Sequence, residues 1–202
     1  VENTGSNLPL LFITGTVTNA SSVTVTDAGT GTATAVTDFT FTSPQVVNIP
    51  AGTYDGAFGT AIAIPTLAIT GDAIVEPNET INLSLTAVSG DVSLGGQTTT
   101  TYTITNDDTA AVTIANASGN EDDGPIQVSA TLNNGVQGGF SVQVSTSDGT
   151  ATTADSDYTP VNNLTLSFTG AAGQTQNFNV NPTADARIEG NETVNVGMAN
   201  LT

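Results

Sequence analysis

Short segments of alternating apolar and polar residues recur along the chain, separated by Gly, Asn, Asp and Pro. They are Ser22–Thr26, Ile81–Thr86, Thr99–Thr105, Ser141–Ser145, Leu164–Phe168 and Gln176–Val180. Alternation with a period of two is typical of β-strands that bury one face. No segment keeps apolar residues at helical spacing, and 73–79 and 186–192 are long enough for a helical turn only. Because strands recur every 8–12 residues, the pattern predicts an all-β chain of antiparallel sandwiches.

The chain also contains an internal repeat. The matching segments are 31–39 with 149–158, 72–80 with 185–193, and Glu2 with Glu121. Asp38 and Asp157 are 119 residues apart (157 − 38), whereas Asp72 and Asp185 are 113 apart (185 − 72). The difference of six residues predicts an insertion in the first copy, in the turn at 52–59.

Two tandem modules follow from the repeat, residues 1–108 and residues 109–202. We expect the first strand of module 1 and the last strand of module 2 to lie outside this sequence. Strand-like residues run into Asn106, Asp107 and Asp108, and another strand begins almost at once. The linker is therefore only a few residues long, and we expect the modules to be arranged head to tail.

The net charge of the chain limits the classes of function that it can have. Nineteen acidic residues face a single basic one, Arg187, which gives a formal net charge of −18. Such a chain repels nucleic acid and anionic membranes, and it needs cations to neutralise it. With no His, Cys or Lys, acid–base catalysis would fall on carboxylates alone. A glycosidase could use such a pair, but its cleft is typically lined with Trp and Tyr, and this chain has no Trp and three Tyr. We therefore expect a protein that is not an enzyme. No stretch reaches the ~20 apolar residues of a membrane-spanning helix.

The repeated motifs resemble the Calx-beta family. Its pattern has an opening Glu, a Gly-Thr-Ala-Thr loop ending in Asp, an Asp-Asp-x-x-x-Glu-x-Asn-Glu-Thr segment, and a closing strand that ends in Asn-Asp-Asp. The resemblance implies an immunoglobulin-like sandwich of seven strands, A to G, that binds Ca²⁺ at one tip. The ligands that it implies are Glu2, Asp38, Asp72, Glu76, Asp107 and Asp108 in module 1, and Glu121, Asp157, Asp185 and Glu189 in module 2.

Two departures from the family pattern affect this ligand set. The family often has a second Asp where this chain has Gly71 and Ala184, so each site lacks one ligand. Module 2 also ends before an Asn-Asp-Asp of its own. We expect Glu79 and Glu192, three residues after the ligand Glu, to hold the loop through backbone bonds instead of binding metal.

The acidic residues fall in loops that share one end of an antiparallel sandwich. These are the A–B loop, the C–D loop, the E–F loop and the end of strand G. Two unit charges ~5 Å apart repel by about 3 kcal/mol at an effective dielectric constant near 20, so the cluster needs a cation. Oxygen ligands without His or Cys suit a hard ion, and Ca²⁺ accepts irregular oxygen shells more readily than Mg²⁺. For any single Asp or Glu, capping of backbone N–H groups is an equal alternative.

The function that these observations predict is a calcium-rigidified structural repeat of an extracellular, bacterial cell-surface protein, used in adhesion or in a surface filament. Its partners would be the neighbouring repeats of the same chain, while other domains contact cell-surface or matrix ligands. Nucleic-acid binding and membrane insertion are not expected. A Ca²⁺-sensing regulatory pair and a sugar- or protein-binding adhesin module stay open as alternatives.

Overall fold

The computed structural model describes Glu2 and residues 7–202, and its regular structure is almost entirely β-strand. The strands are β1 (Leu10–Leu11), β2 (Thr14–Val17), β3 (Ser21–Asp27), β4 (Phe39–Thr40), β5 (Gln45–Ile49), β6 (Gly52–Asp55), β7 (Ile62–Ala63), β8 (Ala68–Ile69), β9 (Ile74–Val75), β10 (Glu79–Ser89), β11 (Thr99–Ile104), β12 (Val112–Ile114), β13 (Ile126–Leu132), β14 (Gly135–Val136), β15 (Phe140–Asp148), β16 (Tyr158–Thr159), β17 (Leu164–Phe168), β18 (Thr175–Pro182) and β19 (Val194–Ala199). Single turns of 3₁₀-helix lie at Phe58–Thr60 and Glu121–Asp123. No helix in the described residues is long and apolar enough to cross a membrane.

The chain divides into two compact units. Unit 1 comprises Val1–Asp72 and Pro77–Asp107, and unit 2 comprises Ala73–Glu76 and Asp108–Thr202. Each unit has its own hydrophobic core. The prediction of an all-β chain that forms two β-sandwiches is confirmed, while the module boundary after residue 108 stays a prediction.

Unit 1 is built on an antiparallel sheet with the strand order β11-β10-β3-β5. Alternate residues of β3 are buried, as its period-two pattern predicts. Three short antiparallel pairs, β1 with β7, β2 with β6 and β4 with β8, supply the rest of the core. Val25, Val47 and Ile81 are the largest side chains that are fully buried there, and each contributes about 1.5–3 kcal/mol by leaving water.

The predicted insertion is visible as extra structure in unit 1. Strand β6 and the turn Phe58–Thr60 lie between β5 and β7, and β6 pairs with β2 from Thr14↔Asp55 to Val17↔Gly52. In unit 2 only a short turn joins β17 to β18. The six additional residues of module 1 therefore lie in the connection from β5 to β7, where the difference in repeat spacing predicts an insertion.

Unit 2 is built on two larger sheets, with strand orders β12-β13-β18-β16 and β17-β15-β19, and it also contains the two-stranded sheet β14-β9. Phe140 and Phe168 are direct cross-strand partners, and their rings stack with centroids 4.9 Å apart. Strand β9 belongs to this unit because it pairs in parallel with β14, with Ile74 opposite Gly135. The segments 73–79 and 186–192 form no helical turn; the first contains β9, and the second has no regular structure.

This topology puts the acidic motifs on loops. The C–D loop joins β3 to β4 in module 1 and β15 to β16 in module 2. The E–F loop joins β8 to β10 and, in module 2, β18 to β19. Glu121 lies in the turn between β12 and β13, and Asp107 and Asp108 directly follow β11, which is strand G of module 1.

Candidate metal centres

A reciprocal pair of threonines fixes each C–D loop to the start of strand F. The backbone N–H of Thr32 donates to Thr80 Oγ1 at 3.2 Å, and the N–H of Thr80 donates to Thr32 Oγ1 at 2.9 Å. Thr150 and Thr193 make the same two bonds in module 2, at 3.2 and 2.8 Å. The Thr of the repeated Gly-Thr-Ala motif is therefore needed to position the loop.

The glycine before each threonine is required by the same close approach. A Cβ atom on Gly31 would lie 2.0 Å from the backbone oxygen of Thr80, and one on Gly149 would lie 2.2 Å from that of Thr193. Only glycine lets the two backbones meet at this distance. The C–D loop is consequently held against the residue that follows Glu79 in module 1 and Glu192 in module 2.

The loop aspartate is anchored identically in both copies. The carboxylate of Asp38 accepts the N–H of Thr34, and its backbone oxygen accepts the N–H of Thr70 at 2.9 Å. Asp157 accepts the N–H of Thr152 at 2.7 Å, and its backbone oxygen accepts the N–H of Thr183 at 2.8 Å. Each aspartate thus joins the C–D loop to the first residues of the E–F loop. Asp38 is buried, with 7% of its surface exposed.

Within the described part of the chain, three groups of carboxylates each bring one oxygen per residue within 4.8 Å of the others. The groups are Asp38, Glu76 and Glu79; Glu2, Asp107 and Asp108; and Asp157, Glu189 and Glu192. We call them the C–D group, the G-end group and the module 2 group. Two oxygens bound to one Ca²⁺ lie at most ~5 Å apart, since each Ca–O bond is about 2.3–2.6 Å. The spacing in each group is therefore compatible with a shared ion.

Two backbone bonds hold the G-end group in place. The N–H of Asn106 donates to Asn78 Oδ1 at 3.1 Å, which ties the end of β11 to the E–F loop. The N–H of Glu2 donates to the backbone oxygen of Thr105 at 3.0 Å. Glu2 is buried, with 5% of its surface exposed, and a buried carboxylate needs hydrogen bonds or a cation to offset its lost hydration.

Crowding of negative charge is clearest in module 2. The pKa of Glu121 is raised, first by desolvation and then by the charges of Asp185, Asp122, Glu189 and Asp157. The pKa of Glu192 is also raised by desolvation, then by Asp157, Glu189 and Asp155, while Arg187 acts in the opposite direction. Both shifts have the sign expected when carboxylates lie close together without a metal ion.

The structure gathers seven of the ten predicted ligands into the three groups. They are Glu2, Asp38, Glu76, Asp107, Asp108, Asp157 and Glu189. Three predicted ligands lie outside these groups, namely Asp72, Glu121 and Asp185. The charges of the module 2 group nevertheless contribute, after desolvation, to the raised pKa of Glu121. Glu79 and Glu192, which we expected to be structural, lie inside them. Their recurrence at the same place in both repeats is the signal that could have identified them as candidates.

The donor chemistry fits a hard divalent cation. Every member of the three groups offers carboxylate oxygen, the ligand type of Ca²⁺ and Mg²⁺ in proteins. Module 1 contains no Lys or Arg, so no basic side chain of its own neutralises the C–D group or the G-end group. Which of these residues bind an ion stays a prediction.

Comparison with known protein families finds a match for the second half of the chain. Residues 105–202 match the family model of the Calx-beta domain. Within this matched segment, the module 2 group combines the C–D loop aspartate with two glutamates of the E–F loop.

Two solved structures align over the length of the chain. The crystal structure of the calcium binding domain CBD12 of CALX1.1 is 21% identical, with a TM-score of 0.42, and the alignment covers 99% of this chain and 76% of that one. The crystal structure of CBD12 from CALX1.2 is 19% identical, with a TM-score of 0.42, and the alignment covers 100% of this chain and 76% of that one. No curated protein matches the sequence.

Proposed function

We propose that the chain is a pair of calcium-binding Calx-beta modules that act as structural repeats of an extracellular protein. The observation that carries this proposal is the repeated convergence of the C–D loop aspartate with E–F loop glutamates, Asp38 in module 1 and Asp157 in module 2. The same threonine and glycine contacts build both centres, so the arrangement belongs to the fold of each repeat.

Calcium is the ion that these centres suit best. The acids lie on irregular loops and their oxygens are spread over several ångströms, whereas Mg²⁺ demands a small, near-octahedral shell. Backbone oxygens and water can complete a calcium shell of 6–8 ligands. The Calx-beta family is a family of non-catalytic calcium-binding modules, which agrees with the expectation that the chain is not an enzyme.

The structural role follows from where the acids fall in the sequence. Asp107 and Asp108 end strand G of module 1, and β12 of module 2 begins at Val112. We infer that Ca²⁺ bound at this junction connects strand G to the loops of its own module and limits bending of the short linker. Neighbouring repeats are then the direct partners, and an array of such repeats would act in adhesion or as a surface filament. The absence of Lys supports a bacterial cell-surface location.

Calcium titration of the metal-stripped chain by isothermal calorimetry tests the binding step. We expect saturable Ca²⁺ binding that is stronger than Mg²⁺ binding. The double substitutions Asp38→Asn with Glu76→Gln, and Asp157→Asn with Glu189→Gln, should each weaken one centre at least about tenfold, because affinity follows the charge of the ligands. Asp55→Asn is the matched control, since the Asp55 carboxylate accepts hydrogen bonds from Thr60 and Ala57 in the β6 turn and belongs to none of the three groups. Absence of Ca²⁺ binding would reject the proposed function.

Small-angle X-ray scattering tests the mechanical step. With saturating Ca²⁺ the distribution of interatomic distances should narrow, and excess EGTA should broaden it. The variant Asp107→Asn with Asp108→Asn is expected to scatter like the EGTA-treated parent at any Ca²⁺ concentration. An identical maximum dimension with and without Ca²⁺ would contradict rigidification while leaving calcium binding intact.

A further inference from the structure

The only basic side chain of the whole protein lies on the module 2 group. Arg187 is the single Lys or Arg among 202 residues. Its Nε lies 3.3 Å from Glu189 Oε1, and Glu189 shares the group with Asp157 and Glu192. The backbone N–H of Arg187 donates to Asp185 Oδ1 at 2.7 Å, which turns the loop so that the guanidinium meets Glu189.

Module 1 has no equivalent charge. The repeat spacing of 113 residues aligns Arg187 with Ile74 (187 − 113). Ile74 is a residue of strand β9 and pairs with Gly135. The two centres are thus built from the same acidic positions, Glu76 with Glu79 and Glu189 with Glu192, but one of them carries its own cation.

We propose that Arg187 is an internal counter-ion that competes with Ca²⁺ for Glu189, so that it sets a lower calcium affinity in module 2. This inference rests on the proposed function, because it concerns the same centre. A divalent ion that binds Glu189 Oε1 must displace the guanidinium of Arg187 or bind with that positive charge beside it. The Arg187 side chain is 61% exposed, so it can move into water, and the result is competition instead of a complete block.

The size of the effect follows from the exposure of the ion pair. Exposed ion pairs contribute about 0.2–1 kcal/mol, which corresponds to a change in affinity of up to about fivefold. Because the attraction acts through solvent, salt should reduce it. A neutral side chain at position 187 therefore raises Ca²⁺ affinity about two- to fivefold, and this gain becomes smaller at about 0.5 M NaCl.

The test is a Ca²⁺ titration of the full chain followed by ¹H–¹⁵N NMR, which reports each module separately. The variants are Arg187→Gln, Arg187→Ile, which copies module 1, and Arg187→Lys, which keeps the charge. The amides of Thr152 and Thr193 report module 2, and those of Thr34 and Thr80 report module 1. We expect the Gln and Ile variants to bind Ca²⁺ about two- to fivefold more tightly in module 2 only, and the Lys variant to match the parent.

Two negative results have different meanings. Equal module 2 affinity in the parent, Gln and Ile chains, with module 1 still binding Ca²⁺, would overturn the role of Arg187 and leave the proposed function standing. Spectra that do not respond to Ca²⁺ in either module of any variant would reject the proposed function itself. Because the amide spectrum also shows whether each variant is folded, a misfolded variant cannot be mistaken for either result.

Discussion

At the scale of single residues, loop carboxylates differ according to what surrounds them. Asp91, in the turn after β10, accepts the backbone N–H groups of Thr18 and Asn19 and the hydroxyl of Thr18, at 2.9, 2.8 and 2.6 Å. These bonds, led by the Thr18 hydroxyl, lower the pKa of Asp91 to about 2. The pKa of Glu121 is instead raised, first by desolvation and then by the charges of neighbouring acids. The direction of the shift separates an acid that caps a turn from acids that crowd a candidate metal centre.

Asp91 gives a prediction for stability against pH. Its folded pKa, about 2, lies below the usual value of 3.8 for an aspartate, so its contribution to the free energy of unfolding is present above about pH 4 and is lost as the pH falls towards 2. Asp91→Asn should lower the Tm near neutral pH. The difference from the parent should shrink between about pH 4 and pH 2, as followed by circular dichroism.

The outcome that contradicts this account is a Tm difference that stays the same at about pH 7 and about pH 2.5. Thr18→Val is a useful companion variant, because it removes the hydroxyl donor while it keeps the backbone donor of the same residue. It should show a smaller loss of the same sign near neutral pH.

Sequence reasoning separates these residues only in part. The repeat identifies Asp38, Asp157, Glu76 and Glu189 as special, and the structure gathers all four into groups. The repeat gives no role to Asp91, because the N–H groups that Asp91 binds are 72 and 73 residues away in the chain. A partner that distant is set by the tertiary fold, and nothing in the local pattern indicates it.

At the scale of elements, the candidate metal centres depend on the close contact between the C–D loop and the start of strand F. In each module the C–D loop lies against the first residues of strand F through the reciprocal threonine bonds. The loops themselves have little regular structure, so the position of Asp38 or Asp157 is set by these few contacts. A change that separates the backbones should disturb the metal centre without removing any acidic residue.

Gly31→Ala tests this dependence. The new Cβ would meet the Thr80 backbone oxygen at 2.0 Å, so the C–D loop must move away from β10. We expect a loss of stability of about 1–3 kcal/mol in chemical denaturation, together with weaker Ca²⁺ binding in module 1. Gly95→Ala is the control, because its Cβ would meet no atom within 4 Å. Equal effects of the two substitutions would refute the close-approach argument.

Most of the long strands could be predicted, although β13 and β19 contain none of the six alternating segments, and the shortest strands could not. All six alternating segments lie mostly or entirely within strands β3, β10, β11, β15, β17 and β18. Strands β4, β7, β8, β9 and β14 are two residues long, which is too short for a period to be recognised. Residues 73–79 form no helical turn because Val75 instead accepts a backbone bond from Gln137 at 2.9 Å, a partner 62 residues away (137 − 75).

At the scale of the whole molecule, two separate cores carry the stability and the loops carry the charge. Each unit buries its own apolar side chains, with Val25 and Ile81 in one and Leu132 and Val144 in the other among the most completely buried. The two-module organisation was predictable because the repeat is long and ordered. No pattern in the sequence indicates that Ala73–Glu76 belongs to unit 2. This assignment results from the two-residue pairing of β9 with β14.

The lone arginine gives the protein one further property. Trypsin cleaves after Lys or Arg, so it can cut this chain at a single peptide bond, between Arg187 and Ile188. Ile188 is fully exposed and the surrounding loop has no regular structure, which are the conditions that favour proteolysis. We expect Ca²⁺ to slow this cleavage, EGTA to restore it, and Asp157→Asn to remove the protection, as measured by the rate at which the fragment 188–202 appears in mass spectra. Such protection would make this single cleavage site a protease reporter of ion binding in module 2.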